Sequence, residues 1–328
     1  MCDFVNMNLF KKCAKYILPK FIWRILREIK FHFQCHVFEN ELKKRAKLSP
    51  ADYIELSKDL RLVTKEYGYN AFYGLADIVK KREGLPMDKP LHGAVEHGFY
   101  PLSHISEVDE TPDEIWVMSE ARARFLRDRF PKKKIHPIGM YIQYVGGIYD
   151  DASIKKIKQN NGRTLLVFPP HATPHSTVKF FANKFIEEIK RIKEKYNFDT
   201  VYVNMYWREI ELGEEKKYID AGFNICTAGH MYEPLFLSRL KTIIELSDMT
   251  MGCVIGTHIG YCVALGKSHY FYRIDPEYLG LTPSSEWPEE WKKSYYYFIQ
   301  KVEDNFSQYH EKLTEENKNF IRYYWGDF

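Results

Sequence analysis

Two histidine–glycine pairs stand close together in the segment LHGAVEHGFY, which covers residues 91–100. Glycine permits tight turns, so this segment is predicted to be a strand end that enters a loop. On such a loop an imidazole can project into a cleft and take a proton from a hydroxyl group near neutral pH. His97 is therefore the first candidate for a catalytic base, with Glu96 either orienting it or acting as the base itself. The alternative is a turn histidine bonded only to backbone, and His92 is the second candidate.

A second group of polar side chains occupies the loop FPPHATPHST, residues 168–177, after a predicted strand at 164–168. The loop precedes a predicted helix, and the N–H groups at a helix N-terminus favour a bound phosphate. We therefore predict that a diphosphate group is bound by His171, Thr173, His175 and Ser176. The alternative is a helix cap with surface histidines. Histidines four residues apart suit a metal only on a helix, which Pro174 disfavours here, so no metal site is predicted.

The segment LSDMTMGCVIGTHIGYCVALGKSHYFY, residues 246–272, has the pattern strand, glycine, helix, strand. Residues 252–255 are predicted to be a buried strand, followed by a helix from 257 to 266 and a strand at 269–272. The helix N-terminus makes Gly256, Thr257 and His258 candidates for phosphate binding, although Thr257 can instead be a simple N-cap. Residues 260–268 only imitate a phosphate-binding P-loop, because five residues instead of four separate the two glycines.

The elements that must position these groups alternate between strand and helix. Strands are predicted at 114–118, 134–138, 164–168, 200–205 and 224–226, and helices at 120–130, 177–196, 216–221 and 234–246. Such alternation is typical of parallel sheets covered by helices, in which ligands bind beyond the carboxyl ends of the strands. Further helices are predicted at 49–66, at 71–82 and from 288 onward, and a polar linker at 146–162.

The fold class is therefore predicted to be α/β, with two Rossmann-like domains facing a cleft. The predicted organisation is a basic amphipathic N-terminal segment at 1–35, one Rossmann-like domain at 36–150, a second at 151–290 and a helical C-terminal tail at 291–328. The family resemblance described below makes the first of these domains the acceptor domain and the second the nucleotide-sugar donor domain. The chain has 328 residues, of which 45% are hydrophobic and 28% charged, as expected of a folded soluble protein. A net charge of +4 gives no reason to expect nucleic acid as a partner.

The N-terminal segment differs from the rest in charge. Residues 9–33 carry seven basic side chains and one acid, Glu28. Beyond Pro19, the apolar residues have the spacing of one helix face, which indicates peripheral contact with an anionic membrane. The alternative is a helix packed on its own domain. Six cysteines without a C-x-x-C pair indicate reduced thiols, so the predicted location is cytoplasmic, with the helix on the inner face of the plasma membrane.

Three segments resemble the GT-B class of glycosyltransferases and the related non-hydrolysing sugar-nucleotide epimerases. They are DEIWVMS at 113–119 with FPKKKIHPIG at 130–139, LLVFPPH at 165–171, and the stretch from Ile244 to Lys267 that contains Gly256-Thr257. The resemblance spans residues 91–272. It implies a two-domain fold whose C-terminal half holds the diphosphate of a nucleotide sugar.

The resemblance also implies roles for individual residues. Several members of the class carry a histidine followed by glycine at the position of His97. Members hold the nucleotide base and ribose between a strand and a helix, where this chain has His230 and Glu233. Glu233 can equally be a first-turn carboxylate favoured by the helix dipole. The chain has no Asp-x-Asp motif for a metal-bound diphosphate, so a metal-independent reaction without a cofactor is expected.

Together these features predict a glycosyltransferase that moves a sugar from a nucleotide-sugar donor to a glycan or lipid-linked acceptor. Surface polysaccharide synthesis is the expected setting, and inversion at the sugar follows if His97 is the base. One alternative is a sugar-nucleotide epimerase on the same fold. Others are a non-catalytic, membrane-associated nucleotide-sugar binding protein and a phosphotransferase that builds polyol-phosphate polymers.

Overall fold

The computed structural model describes residues 20–101, 104–105, 112–173, 176–281 and 286–328. These residues form two compact units, one with residues 20–47 and 61–64 and the other with Leu48–Leu60 and Lys65–Phe328. Both parallel sheets lie in the second unit. The predicted domain limits and the cleft between two domains stay predictions. Residues 1–19, which contain part of the predicted basic segment, and His175 lie outside the described residues.

The elements follow one another in the α/β alternation that the sequence predicts. The described strands are β1 (Ala94–Val95), β2 (Glu114–Val117), β3 (Lys134–Pro137), β4 (Thr164–Phe168), β5 (Thr177–Lys179), β6 (Thr200–Asn204), β7 (Asn224–Cys226), β8 (Met249–Gly252), β9 (Ser268–Phe271) and β10 (Glu277–Leu279). The described helices are α1 (Lys20–Arg45), α2 (Tyr53–Ser57), α3 (Leu75–Glu83), α4 (Glu120–Arg129), α5 (Asp151–Asn161), α6 (Ala182–Lys195), α7 (Trp207–Glu211), α8 (Lys216–Asp220), α9 (Phe236–Leu246), α10 (Thr257–Ala264), α11 (Glu289–Phe306) and α12 (Glu315–Trp325).

The helix α1 belongs to the first unit and carries a row of exposed apolar side chains. They recur every four residues, so each lies about 40° around the helix from the one before, and are between 47% and 67% exposed: Phe21, Ile25, Ile29, Phe33 and Val37. The predicted N-terminal helix is confirmed over its described part and continues to residue 45. No helix in the described part of the chain combines the length and the apolar composition that crossing a bilayer requires.

A three-stranded parallel sheet in the order β1-β2-β3 includes part of the segment at residues 91–100 that contains His97. The helix α4 connects β2 to β3, and the Ser119 hydroxyl caps its start by accepting a hydrogen bond from the Arg122 amide. Ile115 and Val117 on β2 pack against Leu126 on this helix. The predicted strand, helix and strand between residues 114 and 138 are therefore confirmed.

A five-stranded parallel sheet has the spatial order β7-β6-β4-β8-β9. If the five strands are numbered by their order along the chain, their order across the sheet is 3-2-1-4-5. The chain first adds strands on one side of β4 and then on the other, so the direction of winding reverses between β4 and β8. In doubly wound sheets this reversal opens a crevice at the carboxyl ends of the two strands, and ligands bind there.

The central strand β4 is buried along its whole length because helices cover both faces of the sheet. Leu165 and Val167 pack with Phe185 of α6 on one face. Leu166 and Phe168 belong to the cluster on the other face, which includes side chains of α9. The predicted limits of β4 and β7 are confirmed.

The helix α12 is part of the core of the second unit. Trp325 is fully buried, and its indole N–H donates to the carbonyl oxygen of Gly256 at 3.2 Å. The same indole stacks on Phe99 with ring centroids 4.0 Å apart and fills the space beside Gly260, which has no side chain. The single helix predicted from residue 288 onward is wrong, since α11 and α12 are separate and the Thr314 hydroxyl caps α12.

Three other predicted elements are wrong in extent. The helix predicted at 49–66 is limited to α2, because the backbone leaves the helical conformation at Lys58, which has φ −57° and ψ 145°. The helix predicted from 177 begins at Ala182, because Thr177–Lys179 pairs with β10 as a strand. The strand predicted at 252–255 lies three residues earlier, as β8.

Candidate functional site

A cavity of about 320 Å³ opens at the carboxyl ends of β4, β6 and β8. Its lining includes residues that follow each strand: Pro169 and His171 after β4, Tyr206 after β6, and Val254–His258 after β8. The loop after β1 contributes His97–Phe99. The cavity therefore lies at the β4–β8 reversal, the position at which parallel α/β sheets bind their ligands.

The first turn of α10 lines the cavity. Its N-cap is Gly256, which has extended backbone and supplies no side-chain cap. The N–H groups of a first helical turn have no partner within the helix, and this end of the helix dipole is positive. An anion in the cavity can accept hydrogen bonds from these amides. The predicted phosphate contacts of Gly256, Thr257 and His258 stay predictions, and all three residues line the cavity.

The Thr257 hydroxyl joins two segments that are distant in sequence. Its oxygen accepts a hydrogen bond of 2.8 Å from the Phe99 amide. A Cβ atom on Gly98 would come within 2.6 Å of the same oxygen, so glycine is needed for this close approach. The alternative interpretation of Thr257 as an N-cap is wrong, because Gly256 takes that position.

Three histidines line the cavity: His97, His171 and His258. Burial lowers the pKa of His97 to about 4, and the neighbouring His171 adds to the shift. Burial also lowers the pKa of His258, and partial desolvation against the cavity wall lowers the pKa of His171, whose side chain still reaches solvent. All three imidazoles are therefore neutral near pH 7, and each has one N–H donor and one acceptor lone pair.

The Tyr100 hydroxyl is the hydrogen-bond partner of the His97 ring, and it can donate or accept. The ring lies against Tyr69, with centroids 4.6 Å apart, and Nδ1 is 2.8 Å from the Tyr100 hydroxyl. If Nδ1 carries the hydrogen, it donates to the Tyr100 oxygen and leaves Nε2 with a free lone pair. Only this arrangement permits neutral His97 to accept a proton at Nε2.

The carboxylate of Glu96 is held apart from the cavity. It is 2% exposed and forms a buried ion pair with Arg122, at 2.6 and 2.8 Å to the two guanidinium nitrogens. Successive side chains on an extended backbone face opposite sides, which separates Glu96 from His97. Its predicted role as base or orienting group stays a prediction and would require the carboxylate to leave Arg122.

Of the contact residues predicted in the loop after β4, His171 and Thr173 line the cavity and Ser176 does not. His171 packs on Tyr206 with ring centroids 4.7 Å apart, and its Nδ1–H donates to the Ala172 carbonyl at 3.0 Å. Thr173 lines the cavity. Ser176 is 5% exposed, lies outside the lining and has its hydroxyl 2.9 Å from that of Thr173.

The two residues predicted to hold the nucleotide base and ribose are buried and do not line the cavity. Glu233 is 1% exposed, pairs with the buried Arg239 and accepts a hydrogen bond from the His230 amide at 3.2 Å. His230 packs on Trp207 with ring centroids 4.2 Å apart. Neither residue is among the described residues that line the cavity, and their ribose contact stays a prediction.

Sequence reasoning missed several lining residues. Asn204 ends β6, and its Oδ1 has no hydrogen-bond partner in the described chain. The hydroxyls of Tyr73 and Tyr206 lie 3.1 Å apart, and Phe168 stacks on His258 at 4.7 Å. The signal that identifies Asn204 and Tyr206 is their position at the carboxyl end of a predicted parallel strand.

The cavity lining is uncharged. Among the described residues that line it there is no lysine, arginine, aspartate or glutamate. Within the described ranges, no cluster of three or more histidine, cysteine, aspartate or glutamate side chains has a geometry that suits a metal ion. An anion bound here would be held by amide, hydroxyl and imidazole groups.

No protein-family model matches this chain, and no curated protein matches it. A solved structure described as an S. aureus MnaA–UDP co-structure is similar over 76% of this chain and 85% of its own. The two sequences are 13% identical and the TM-score is 0.32. A likeness at this level does not establish a common fold or activity.

Proposed function

We propose that this chain is an enzyme that acts on nucleotide sugars and binds the donor diphosphate in the cavity at the β4–β8 reversal. The observation that carries the proposal is the position of α10, whose first turn lines that cavity. A helix N-terminus at the switch point of a doubly wound sheet is a common site for phosphate groups.

Binding of the diphosphate would be coupled to proton uptake. The Nδ1–H of His171 is directed to the Ala172 carbonyl, so its Nε2 can donate to a phosphate oxygen only after gaining a proton. A bound anion favours the charged imidazole and so raises its pKa. Protonated histidine and the α10 amides would then stabilise the leaving diphosphate without a metal ion.

His97 is the proposed base for transfer to an acceptor. Its Nε2 would take the proton of an acceptor hydroxyl as that oxygen attacks the anomeric carbon. The bond from this carbon to the diphosphate breaks at the same time, and the configuration inverts. The support is that His97 is neutral, lines the cavity and has Tyr100 at Nδ1. The proposed acceptor is a glycan or lipid-linked glycan of surface polysaccharide synthesis.

The nucleotide is identified by thermal unfolding with a panel of UDP, GDP, CDP and CMP compounds. A ligand at 100 times its Kd stabilises the native state by about 2.7 kcal/mol, which raises the melting temperature measurably. His258→Ala should reduce the shift, whereas His136→Ala should not, because His136 lies outside the cavity lining. If no nucleotide stabilises the protein, the proposal is wrong.

The chemistry is decided by incubation of the identified nucleotide sugar with and without an acceptor. A transferase releases the nucleotide only when an acceptor is present. Conversion of the donor sugar without an acceptor would identify the epimerase alternative. Unchanged cellular function in His97→Ala would identify the non-catalytic binding protein.

We also infer that α1 holds the protein at an anionic membrane surface. The support is the row of exposed apolar residues on α1 and the exposed basic side chains Arg24, Arg27 and Lys30 on the same helix. Apolar side chains can enter the interface while basic ones attract anionic headgroups.

A further inference from the structure

A second cavity, of about 240 Å³, lies on the other side of the loop that follows β4. Most of its walls are apolar and come from the β4 loop, β5 and the segment after α7, as Pro169, Pro170, Val178, Phe180 and Leu212. Only Pro169 and Met205 are shared with the first cavity. Its volume is below the roughly 300 Å³ at which pockets for drug-sized molecules begin, so its occupant must be small.

Two buried polar groups line this cavity with unused hydrogen-bonding capacity. Glu209 is 5% exposed, and its Oε1 accepts a hydrogen bond from the Ala172 amide. Its Oε2 has no hydrogen-bond partner in the described chain, and neither has the hydroxyl of Tyr218, which is 1% exposed. Buried polar atoms in native proteins are nearly always hydrogen-bonded, so two orphans at one cavity call for a ligand or water.

The chemistry of these groups selects the kind of ligand. Burial raises the pKa of Glu209 to about 8, so its carboxyl group is largely protonated near pH 7 and can both donate and accept. The Tyr218 hydroxyl can also do both. Hydroxyl groups are the ligand groups that complement such a pair.

Three ionisable side chains besides Glu209 line the cavity, namely Lys179, Glu214 and Lys217. Lys217 pairs with Glu214, and its ammonium also lies 5.2 Å from the centre of the Phe180 ring. Lys179 is exposed to solvent, so the buried groups of Glu209 and Tyr218 decide which ligand is favoured. The proline and Phe180 walls suit the C–H face of a sugar ring, since aromatic and apolar surfaces pack well on it.

We propose that this second cavity binds a neutral hydroxylated ligand the size of one sugar unit, with Glu209 and Tyr218 as its hydrogen-bonding groups. The site does not depend on nucleotide binding in the first cavity. Because Glu209 also bonds the Ala172 amide, a ligand here contacts the loop that carries His171 from the opposite side.

The test is saturation-transfer NMR on the full chain with glucose, galactose, mannose and N-acetylglucosamine. Benzoate and butylamine serve as charged probes. At least one monosaccharide should bind, and both Tyr218→Phe and Glu209→Gln should weaken it at least fivefold. His136→Ala, a change outside both cavities, should leave sugar binding within twofold.

The two variants are conservative, since Gln retains an oxygen for the Ala172 amide and Phe retains the Tyr218 ring. The melting temperature of Tyr218→Phe should be equal to or above that of the wild type, because this variant removes an unpaired buried hydroxyl. That of Glu209→Gln should be close to the wild-type value, because the amide keeps the size of the side chain and the bond to Ala172. The proposal is overturned if no monosaccharide binds, if only the charged probes bind, or if both variants bind as the wild type does. A lowered melting temperature of Tyr218→Phe without sugar binding would assign the cavity to structural water.

Discussion

The backbone amide of Phe99 donates a hydrogen bond of 2.8 Å to the side-chain oxygen of Thr257, 158 positions later in the chain. This bond fixes the loop that carries His97 to the first turn of α10. The proposed base and the proposed phosphate site are thus connected by one backbone-to-side-chain contact. Gly98 lies directly over that contact.

Replacement of Gly98 by alanine should damage both halves of the site. The new Cβ would lie 2.6 Å from the Thr257 oxygen, so the loop or the helix must shift. Crowding of this kind costs about 1–3 kcal/mol. Chemical denaturation should show that loss, and nucleotide affinity should fall at least tenfold. Gly146→Ala is the matched control, because a Cβ there meets no atom within 4 Å. If the two variants have the same unfolding free energy and the same nucleotide affinity, Gly98 does not lie against the Thr257 side chain.

His97→Ala should lower turnover and leave nucleotide binding intact. Loss of a general base lowers turnover by about 10²–10⁴-fold, while the α10 amides that hold the diphosphate remain. Turnover and nucleotide-induced melting shifts are measured on the same preparation. Tyr100→Phe should lower turnover less, because it removes only the group that holds Nδ1. An unchanged rate in His97→Ala would exclude this residue as the base.

Acid should destabilise the protein through its buried histidines. Burial lowers the pKa of His97 to about 4 and of His269 to about 3, below the ordinary value of 6.5. Their contribution to stability is complete above the unfolded-state pKa and is lost as pH falls from about 6.5 toward the folded values. Near pH 5 the two residues together should change the unfolding free energy by about 2–3 kcal/mol per pH unit.

The measurement is urea denaturation between pH 4 and 7. His97→Gln should reduce the pH slope by the share of one histidine, since glutamine does not titrate. A slope that is the same in the variant and the wild type would mean that His97 titrates normally in the folded protein.

Nucleotide-sugar affinity should rise as pH falls from 8 to 6. Neutral His171 must gain a proton before its Nε2 can donate to a phosphate oxygen, and lower pH favours that form. Isothermal titration in buffers of different ionisation enthalpy counts the protons taken up. His171→Gln should bind with less pH dependence. If His171→Gln takes up as many protons on binding as the wild type does, a group other than His171 gains the proton.

Membrane binding should depend on the apolar row of α1. The full chain should sediment with vesicles of phosphatidylcholine and phosphatidylglycerol more than with phosphatidylcholine alone, and less at high salt. Ile29→Asp should abolish this binding. Ile54→Asp is the matched control, because Ile54 is equally exposed, at 60% against 59%, and lies in α2. Equal sedimentation of both variants would exclude α1 as the contact.

The sequence predicts a strand correctly where the strand is buried on both faces and all its side chains are apolar. The limits of β4 are predicted correctly because a central parallel strand is buried on both faces and so has a continuous apolar run. The strand β8 is misplaced because Thr250 marks it as polar. In the folded chain the Thr250 hydroxyl donates to the Ser268 carbonyl at 3.0 Å, which makes its burial possible.

The sequence predicts those site residues that follow parallel strands, because the carboxyl ends of such strands lie at one edge of the sheet. That rule brings His171 and His258 to one cavity. The carboxylates of Glu96 and Glu233 are instead each paired with a buried arginine, Arg122 and Arg239. No spacing in the sequence indicates these pairs, because each depends on how separate elements pack in three dimensions.

The indole of Trp325 gives the site an optical reporter. It bonds the carbonyl of Gly256 and stacks on Phe99, so it touches both segments that the Phe99–Thr257 hydrogen bond joins. A ligand that contacts either segment changes the surroundings of a fully buried fluorophore. The emission of Trp325 in a variant whose other tryptophans are replaced by phenylalanine should therefore report ligand binding at the cavity in real time.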